Sequence, residues 1–256
     1  MEENAALLGQ KYLECFCRRS RDGFFVRYAD PALPDMYCHN FLELKKPVGT
    51  LLLRKTLEER IAAARAAGAA FFRLELGIEP ASLPGAFPQG GEPEHNGLYR
   101  LAPERAAVER WASPPECAIR PMADSADTAA LAEIELSNAD GCGRGFCLRR
   151  AERRARVYTS GGPCRNFLAD WNGQAAGTCV LFTYGGMGRL EDLVVRPELR
   201  RRKIASSLLR TLVLRGMDDG CRVFFLTADE DDTPKALYRA LGFEKTVDTW
   251  ALTWRL

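Results

Sequence analysis

With 256 residues, of which 46% are hydrophobic, the chain is long enough to bury a substantial core as one large or two small domains. Its net charge of only +2 argues against a dedicated nucleic-acid-binding protein, which needs a concentrated basic face. The N-terminal residues lack the basic start and apolar core of a signal peptide, and no apolar run reaches membrane-spanning length. The composition therefore predicts a cytoplasmic globular protein that binds neither nucleic acid nor membrane.

The nine cysteines are an odd number and lack the paired CxxC spacing of a zinc site. Cys142, Cys147 and Cys164 could be drawn as a metal cluster, but small apolar thiols in a core are the commoner use of such residues. We therefore expect reduced, mostly buried cysteines and no bound metal.

The N-terminal half alternates helical and extended patterns. Helices are predicted at residues 2–20 and 56–67, the second of which is rich in Ala, Glu and Arg and is stopped by Gly68. His39 lies in an extended segment beside Asn40, where a histidine is more often structural than catalytic. Predicted strands lie at residues 24–28, 36–44 and 71–76, and a predicted surface loop at residues 81–96.

Two features bear on domain organisation. Consecutive prolines at positions 114 and 115 force an extended connector, so we expect an N-terminal α/β domain at residues 1–113 and a second domain at residues 117–256. The helix, glycine and aromatic strand around Gly68 also echo those around Gly220. Either the N-terminal domain is a degenerate copy of the C-terminal one, or any helix packed on a strand gives such an echo.

The C-terminal half begins with a predicted strand at residues 117–120 and a helix at residues 124–136, with Asp124 or Ser125 as its N-cap. A loop at residues 137–146 and a basic helix at residues 149–158 follow. Asn172-Gly173 then joins strands at residues 167–171 and 175–184 into a hairpin, because this dipeptide suits a type I′ turn. The residues alone favour a solvated face for the arginines of the basic helix, which are Arg149, Arg150, Arg153, Arg154 and Arg156.

The chain is organised around residues 189–243. An apolar strand at residues 190–195 leads through a turn into an amphipathic helix from about residue 204 to 219. A second strand follows at residues 223–226. Thr233 and Pro234 then supply the cap and first turn of a last helix.

The turn before the amphipathic helix carries four consecutive cations, from Arg200 to Lys203. They adjoin the unpaired N–H groups and the positive dipole end of the helix start, which together suit an anion such as a pyrophosphate. The alternative is that the four cations only solvate the helix start.

These elements resemble the GNAT N-acetyltransferase superfamily, whose acetyl-CoA loop carries Arg or Gln, two residues, Gly, one residue, then Gly or Ala. Arg200 and Ala205 fit this pattern, whereas Lys203 stands where the first Gly is expected. The segment PKALYRALGF, which ends at Phe243, resembles the closing helix of the family. The resemblance covers residues 117–256. It implies an α/β fold with a mixed α+β sheet that binds acyl-CoA, alone or in tandem with a degenerate N-terminal copy.

The resemblance also implies acetyl-CoA as donor, a primary amine as acceptor and no metal. Tyr238 is implied as the acid that protonates the leaving thiolate; the other interpretation is a tyrosine that packs against the sheet. Glu191 is implied as the base, with a plain surface acid as the alternative, and strand alternation puts Asp192 on the opposite face. The implied cofactor-binding residues are Leu193, Val194, Val195, Arg200, Arg201, Arg202, Lys203, Ile204, Ala205 and Ser206.

Two further segments bear on the acceptor. Gly141 to Gly145 lie in a region that commonly borders the acceptor site in the superfamily, and Asp229 to Asp232 could attract a cation or simply favour the dipole of the next helix. We expect acetyl transfer to a primary amine of a small molecule or peptide, by a monomer or homodimer. The alternative is a catalytically silent acyl-CoA-binding or interaction module, which Lys203 and the extra N-terminal domain make plausible.

Overall fold

The structure is a computed structural model that describes residues 2–139, 143–231 and 234–256. The chain packs into two compact units. The first contains Met1–Cys15, Tyr99–Thr227 and Ala236–Glu244, and the second contains Phe16–Leu98, Ala228–Lys235 and Lys245–Leu256. This grouping differs from the predicted domains at 1–113 and 117–256, because the N-terminal segment packs with the first unit and the C-terminal segment with the second. The consecutive division stays a prediction.

The second unit is a mixed sheet crossed by one helix. Strands β1 and β2, β2 and β3, and β4 and β11 pair antiparallel, whereas β3 and β4 pair in parallel. Short 3-10 turns lie at Tyr37–His39 and Pro80–Ser82. The strands, in spatial order, are β1 (Arg18–Asp22), β2 (Phe25–Ala29), β3 (Phe41–Leu44), β4 (Phe71–Leu76), β11 (Glu244–Arg255) and β5 (Glu92–Leu101).

Helix α2 (Thr50–Ala66) makes the crossover between the parallel strands β3 and β4. It buries one face, on which Leu53, Leu57 and Ile61 recur at intervals of four residues. The helix begins after Gly49, earlier than the predicted start at residue 56. The leucines before the Ala-rich segment are also helical, and one of them, Leu51, is 84% exposed.

His39 is buried in the second unit. Its Nδ1 lies 3.4 Å from Oδ2 of the buried Asp30, and its ring packs on Phe16 at a centroid distance of 4.5 Å. These contacts agree with the structural interpretation of this histidine.

In the part of the chain that the structure describes, the first unit is built on five strands that lie in the order β10-β9-β8-β7-β6. All pair antiparallel except β9 and β10, which are parallel. The strands are β6 (Cys117–Pro121), β7 (Cys164–Trp171), β8 (Gln174–Tyr184), β9 (Met187–Val195) and β10 (Val223–Asp229). The helices are α1 (Glu2–Leu13), α3 (Arg105–Glu109), α4 (Ser125–Ser137), α5 (Arg144–Tyr158), α6 (Ile204–Asp218) and α7 (Pro234–Ala240), with a 3-10 turn at Pro197–Leu199.

Several sequence signals appear as local structure in this unit. Asn172 and Gly173 have φ angles of 49° and 81°, the signs that a type I′ turn requires between β7 and β8. Asp124 caps α4 in a reciprocal capping box with Asp127. The predicted cap Thr233 lies outside the described residues.

Phe224 of β10 is fully buried between two glycines. A Cβ atom added at Gly188 of β9 or at Gly216 of α6 would lie 2.5 Å from the Phe224 ring. The missing side chains therefore let the helix and the strand close on the aromatic ring. Helix α6 completes this core with its apolar face, which consists of Ile204, Leu208, Leu209, Leu212 and Val213.

The sheet contains both parallel and antiparallel pairs and is packed with helices, so the predicted mixed α+β class is confirmed. Among the described residues, no helix has the length and apolar character that crossing a membrane requires.

Candidate functional site

Strands β9 and β10 of the first unit separate along their length. Their parallel register runs only from Met187 and Val223 to Arg189 and Phe225, although each strand continues. A pocket of about 40 Å³ lies where they separate. Its lining is Leu190, Glu191, Asp192, Leu193, Leu209, Leu226, Thr227 and Tyr238.

Strand β9 carries a β-bulge at this pocket. Val180 of β8 pairs with Glu191 and Thr178 with Val194, so one residue of β8 faces two residues of β9. Asp192, inside the bulge, has a φ angle of 53°, which is left-handed. The bulge interrupts the strand alternation from which we predicted that Glu191 and Asp192 face opposite sides, and both residues line the same pocket.

Glu191 is mostly buried and ion-paired. Its Oε1 lies 2.5 Å from Nε of Arg189, and the exposed fractions of the two side chains are 19% and 15%. Burial raises the pKa of Glu191, and the charge of Asp192 raises it further, while Arg189 opposes both effects. Glu191 is therefore not the plain surface acid of the alternative interpretation.

Arg189 fixes one wall around Glu191. Its guanidinium lies 5.7 Å from the ring centroid of Tyr12, and its Nη2 donates to Oγ1 of Thr227 at 3.4 Å. A Cβ atom at Gly9 of α1 would lie 3.2 Å from Nη1 of Arg189, so the helix backbone comes close to this side chain. Helix α1 thus belongs to the surroundings of the candidate base.

Asp192 is held by donors from two helices. The Tyr158 hydroxyl of α5 donates to Oδ2 at 2.6 Å, the Tyr12 hydroxyl of α1 is 3.4 Å from the same atom, and Arg154 of α5 pairs with Oδ1. Burial and the nearby Asp192 carboxylate raise the pKa of Tyr158 well above its usual value. Asp192 therefore accepts hydrogen bonds from neutral phenols and is not free to act as a base.

The sequence alone favoured a solvated face for all the arginines of α5, but the structure buries one of them. Arg154 is buried and also pairs with Glu135 of α4, and Arg150 pairs with the same carboxylate. Helical spacing could have revealed this, since Arg154 lies on the same face as the other buried residues of α5, which are Cys147, Ala151, Ala155 and Tyr158. Arg149 and Arg156 are exposed as predicted.

Tyr238 of α7 is 7% exposed and lines the same pocket as Glu191. Its ring also lies 6.2 Å from the ring of Tyr99 and 6.2 Å from that of Phe243. The side chain therefore packs in an aromatic cluster and borders the pocket, so both interpretations of Tyr238 from the sequence stay open.

The basic turn delivers the chain into α6 through two left-handed residues. Arg201 and Lys203 have φ angles of 63° and 65°, and Lys203 is the N-cap of the helix. Arg200 donates to Oδ1 of Asn138 at 2.9 Å, and the guanidinium of Arg202 lies 5.4 Å from the Trp171 ring. The first N–H groups of α6 lack intrahelical acceptors, as in any helix, and therefore suit an anion.

Two predictions about the acceptor lie partly outside the described residues, which lack positions 140–142 and 232–233. Gly141, Cys142 and Asp232 therefore lie outside the described residues. Within the described segments, Glu230 lies 3.9 Å from Nζ of Lys235, so the acidic cluster already faces a cation.

The described residues contain no group of three side chains that could hold a metal ion, and all their cysteines are free thiols.

Comparison with known proteins gives a family for part of the chain. Residues 135–243 match the model of the acetyltransferase (GNAT) family. No curated protein sequence matches the chain.

Solved structures share the fold over nearly the whole chain at low identity. A functionally unknown conserved protein from Staphylococcus epidermidis is 16% identical, covers 93% of this chain and 94% of its own, and has a TM-score of 0.77. A GCN5-related N-acetyltransferase from Kribbella flavida is 15% identical, covers 98% of this chain and 94% of its own, and has a TM-score of 0.65.

A tandem GNAT protein from the clavulanic acid biosynthesis pathway is 16% identical, covers 92% of this chain and 81% of its own, and has a TM-score of 0.58. The shared fold extends over both halves of this chain. The family match and the shared fold support acyl transfer as the general chemistry. Residues 135–243 of the chain are therefore similar in sequence to the acetyltransferase (GNAT) family.

Proposed function

We propose that the protein transfers an acetyl group from acetyl-CoA to a primary amine of a small molecule or peptide, in the cytoplasm. The observation that carries this proposal is the single pocket that Glu191 and Tyr238 share where β9 separates from β10. A buried carboxylate and a phenol at one pocket are the base and acid that aminolysis of a thioester needs.

The cofactor would bind along β9 and at the start of α6. Beyond Arg189 the β10-facing edge of β9 is not paired with β10, so Leu193, Val194 and Val195 offer backbone groups to an extended ligand that contains amides. The N–H groups from Arg202 to Ser206 suit the pyrophosphate. The side chains of Arg200 and Arg201 would add positive charge at this end.

The fit of the turn to a phosphate rests on its backbone. Lys203 adopts the left-handed conformation that a glycine favours, so the chain still enters α6 with its first-turn N–H groups pointing out of the helix end. Lysine at this position changes the strain and charge of the turn without changing its path.

The chemistry divides between the two pocket residues. Glu191 accepts a proton from the amine, directly or through water, as the nitrogen forms its bond to the acetyl carbon. Tyr238 donates its phenolic proton to the sulfur as the carbon–sulfur bond breaks. Because its pKa is raised toward neutral pH, Glu191 is a stronger base than an ordinary glutamate.

A catalytically silent acyl-CoA-binding module is the second candidate function. It is favoured by the ion pair between Glu191 and Arg189, which engages the candidate base, and by the strained lysine in the turn. Such a module would bind CoA without turnover.

The experiment is thiol release from acetyl-CoA with a panel of primary amines, measured for the wild-type protein and for Tyr238→Phe. Phenylalanine keeps the ring and its packing but removes the proton donor, so we expect turnover to fall by roughly 10²-fold or more with near-native CoA affinity and thermal stability. The matched measurements are a CoA titration and a thermal melt on the same preparation.

The outcomes separate the candidates. Tight CoA binding without thiol release for any amine supports the silent module. Full activity in Tyr238→Phe would remove the phenol from the mechanism, and a loss of stability that matches the loss of activity would make it a packing residue.

A further inference from the structure

The second unit contains a cavity of about 450 Å³ between the end of helix α2 and the sheet. It lies where β2 ends and β3 and β4 begin, since Tyr28, Phe41 and Phe72 line it together with alanines from the end of α2. The parallel register of β3 and β4 starts only at Leu42 and Leu74, beside this space. Pockets for small molecules have volumes of about 300–1,000 Å³, so this cavity has the size for a small organic ligand.

The cavity exists because the side chains of α2 become small toward its end. Leu53, Leu57 and Ile61 fill the space between the first part of the helix and the sheet. One turn later the same face reaches Ala64, which lines the cavity. An alanine ends at its Cβ atom and cannot fill the volume that a leucine would occupy. The cavity therefore has apolar walls on the side of the helix.

The charged groups that line the cavity are all basic. They are Arg27, Arg60 and Arg73, and no acidic residue is among the described residues of the lining. Arg60 donates two hydrogen bonds to Asp22, at 2.5 and 2.6 Å, and Arg73 pairs with two glutamates. Two of the three positive charges are thus compensated within the protein.

Arg27 carries the third positive charge. It is exposed, and no ion pair of the described residues includes it. In the register of β1 and β2, Ser20 lies opposite Arg27 and Asp22 opposite Phe25, so Arg27 is on the same face of the sheet as Asp22. The hydrogen bond from Arg60 holds the pKa of Asp22 below its usual value against the effect of burial, and the charge of Arg27 lowers it further. Since Arg60 already occupies both oxygens of Asp22, one positive charge remains at the cavity.

We propose that this cavity binds a small organic carboxylate with a flat apolar body, such as an aromatic acid. The carboxylate would accept hydrogen bonds from Arg27, and the apolar body would lie against Ala63, Ala64 and Phe72. A monoanion matches the one uncompensated positive charge. All the lining residues belong to the second unit, so the inference does not rest on the proposed function.

The test is isothermal titration calorimetry of the full chain with benzoate, indole-3-acetate and 2-naphthoate, each compared with its uncharged primary amide. We expect at least one carboxylate to bind with a Kd below about 1 mM. Its amide keeps the apolar body but lacks the charge, so it should bind about tenfold more weakly or not at all. Inorganic phosphate has charge without an apolar body and should not displace the carboxylate.

Two pairs of variants locate the ligand. Arg27→Gln should weaken binding by about tenfold, whereas Arg54→Gln, which removes an arginine of α2 outside the lining, should bind as the wild type does. Ala64→Leu fills the cavity and should abolish binding. Ala62→Leu adds the same side chain at an exposed position of the same helix outside the lining, so it is the matched control. Leucine is a strong helix former, and a thermal melt checks that both leucine variants fold.

Three results would overturn the proposal. The first is that none of the three carboxylates binds, and the second is that acid and amide bind equally well. The third is that Ala64→Leu binds as tightly as Ala62→Leu, which would put the ligand elsewhere on the chain. If Ala64→Leu does not fold, the comparison of Arg27→Gln with Arg54→Gln decides, because Arg27 is exposed and its replacement leaves the core intact.

Discussion

The substitution Lys203→Gly tests how the basic turn tolerates a lysine. Lys203 has φ and ψ angles of 65° and 12° at the N-cap of α6, a conformation in which the Cβ atom of an L-residue is crowded. Glycine has no Cβ atom and adopts this conformation without strain. The substitution therefore relieves the backbone while leaving its path unchanged.

The expected magnitude is the difference between two opposing effects. A left-handed residue other than glycine costs about 1–2 kcal/mol, whereas glycine loses about 0.5–1 kcal/mol more conformational entropy on folding. The free energy of unfolding should therefore rise by about 0.5–1 kcal/mol in Lys203→Gly. For a chain of this size, that corresponds to an increase in Tm of about 1–4 °C.

The assay is urea denaturation with Lys203→Ala as the matched control. Alanine removes the same charge but keeps a Cβ atom, so the difference between the glycine and alanine variants isolates the backbone strain. We expect glycine to be the more stable of the two. A glycine variant no more stable than the alanine variant would mean that the turn is not left-handed at this position in solution.

The same two variants measure the role of the lysine in cofactor binding. If backbone N–H groups hold the pyrophosphate, CoA affinity in a titration should be unchanged or tighter in Lys203→Gly. A loss of more than about tenfold in both variants would show instead that the ammonium group is itself a phosphate ligand.

Two further substitutions test the site and the core. Glu191→Gln should lower kcat/KM by about 10²–10⁴-fold and leave CoA affinity unchanged. The base acts deprotonated, so wild-type kcat/KM should rise with pH through the raised pKa of Glu191, above the ordinary glutamate range, and a pH profile of the variant should lack this rise. Gly188→Ala should lower the free energy of unfolding by about 1–3 kcal/mol in urea, because its Cβ atom would meet the buried Phe224 ring at 2.5 Å. Gly77→Ala, whose Cβ atom would meet nothing within 4 Å, is the control, and equal effects would refute the packing argument.

Local signals predicted much of the first unit. The apolar period of α6, the Asn172-Gly173 turn and the Asp124 cap each depend on a few neighbouring residues, and each appears in the structure where the sequence indicates it. The left-handed backbone at Lys203 also explains why the family pattern has a glycine there.

Features that depend on distant partners could not be predicted in this way. The bulge at Asp192 follows from the register between β8 and β9, which strand alternation does not reveal. Arg154 points inward because it forms ion pairs with Glu135 and Asp192, which lie on other elements. The packing of α1 with the first unit likewise depends on contacts such as that between Tyr12 and Phe182, which are far apart in sequence.

The measurement that tests the central claim most directly is a crystal structure of the protein with bound CoA. We expect the pyrophosphate at the N–H groups of residues 202–206 and the sulfur at the pocket that Glu191 and Tyr238 line. Phosphates that contact only the arginine side chains of α5, with the sulfur remote from Tyr238, would contradict the account.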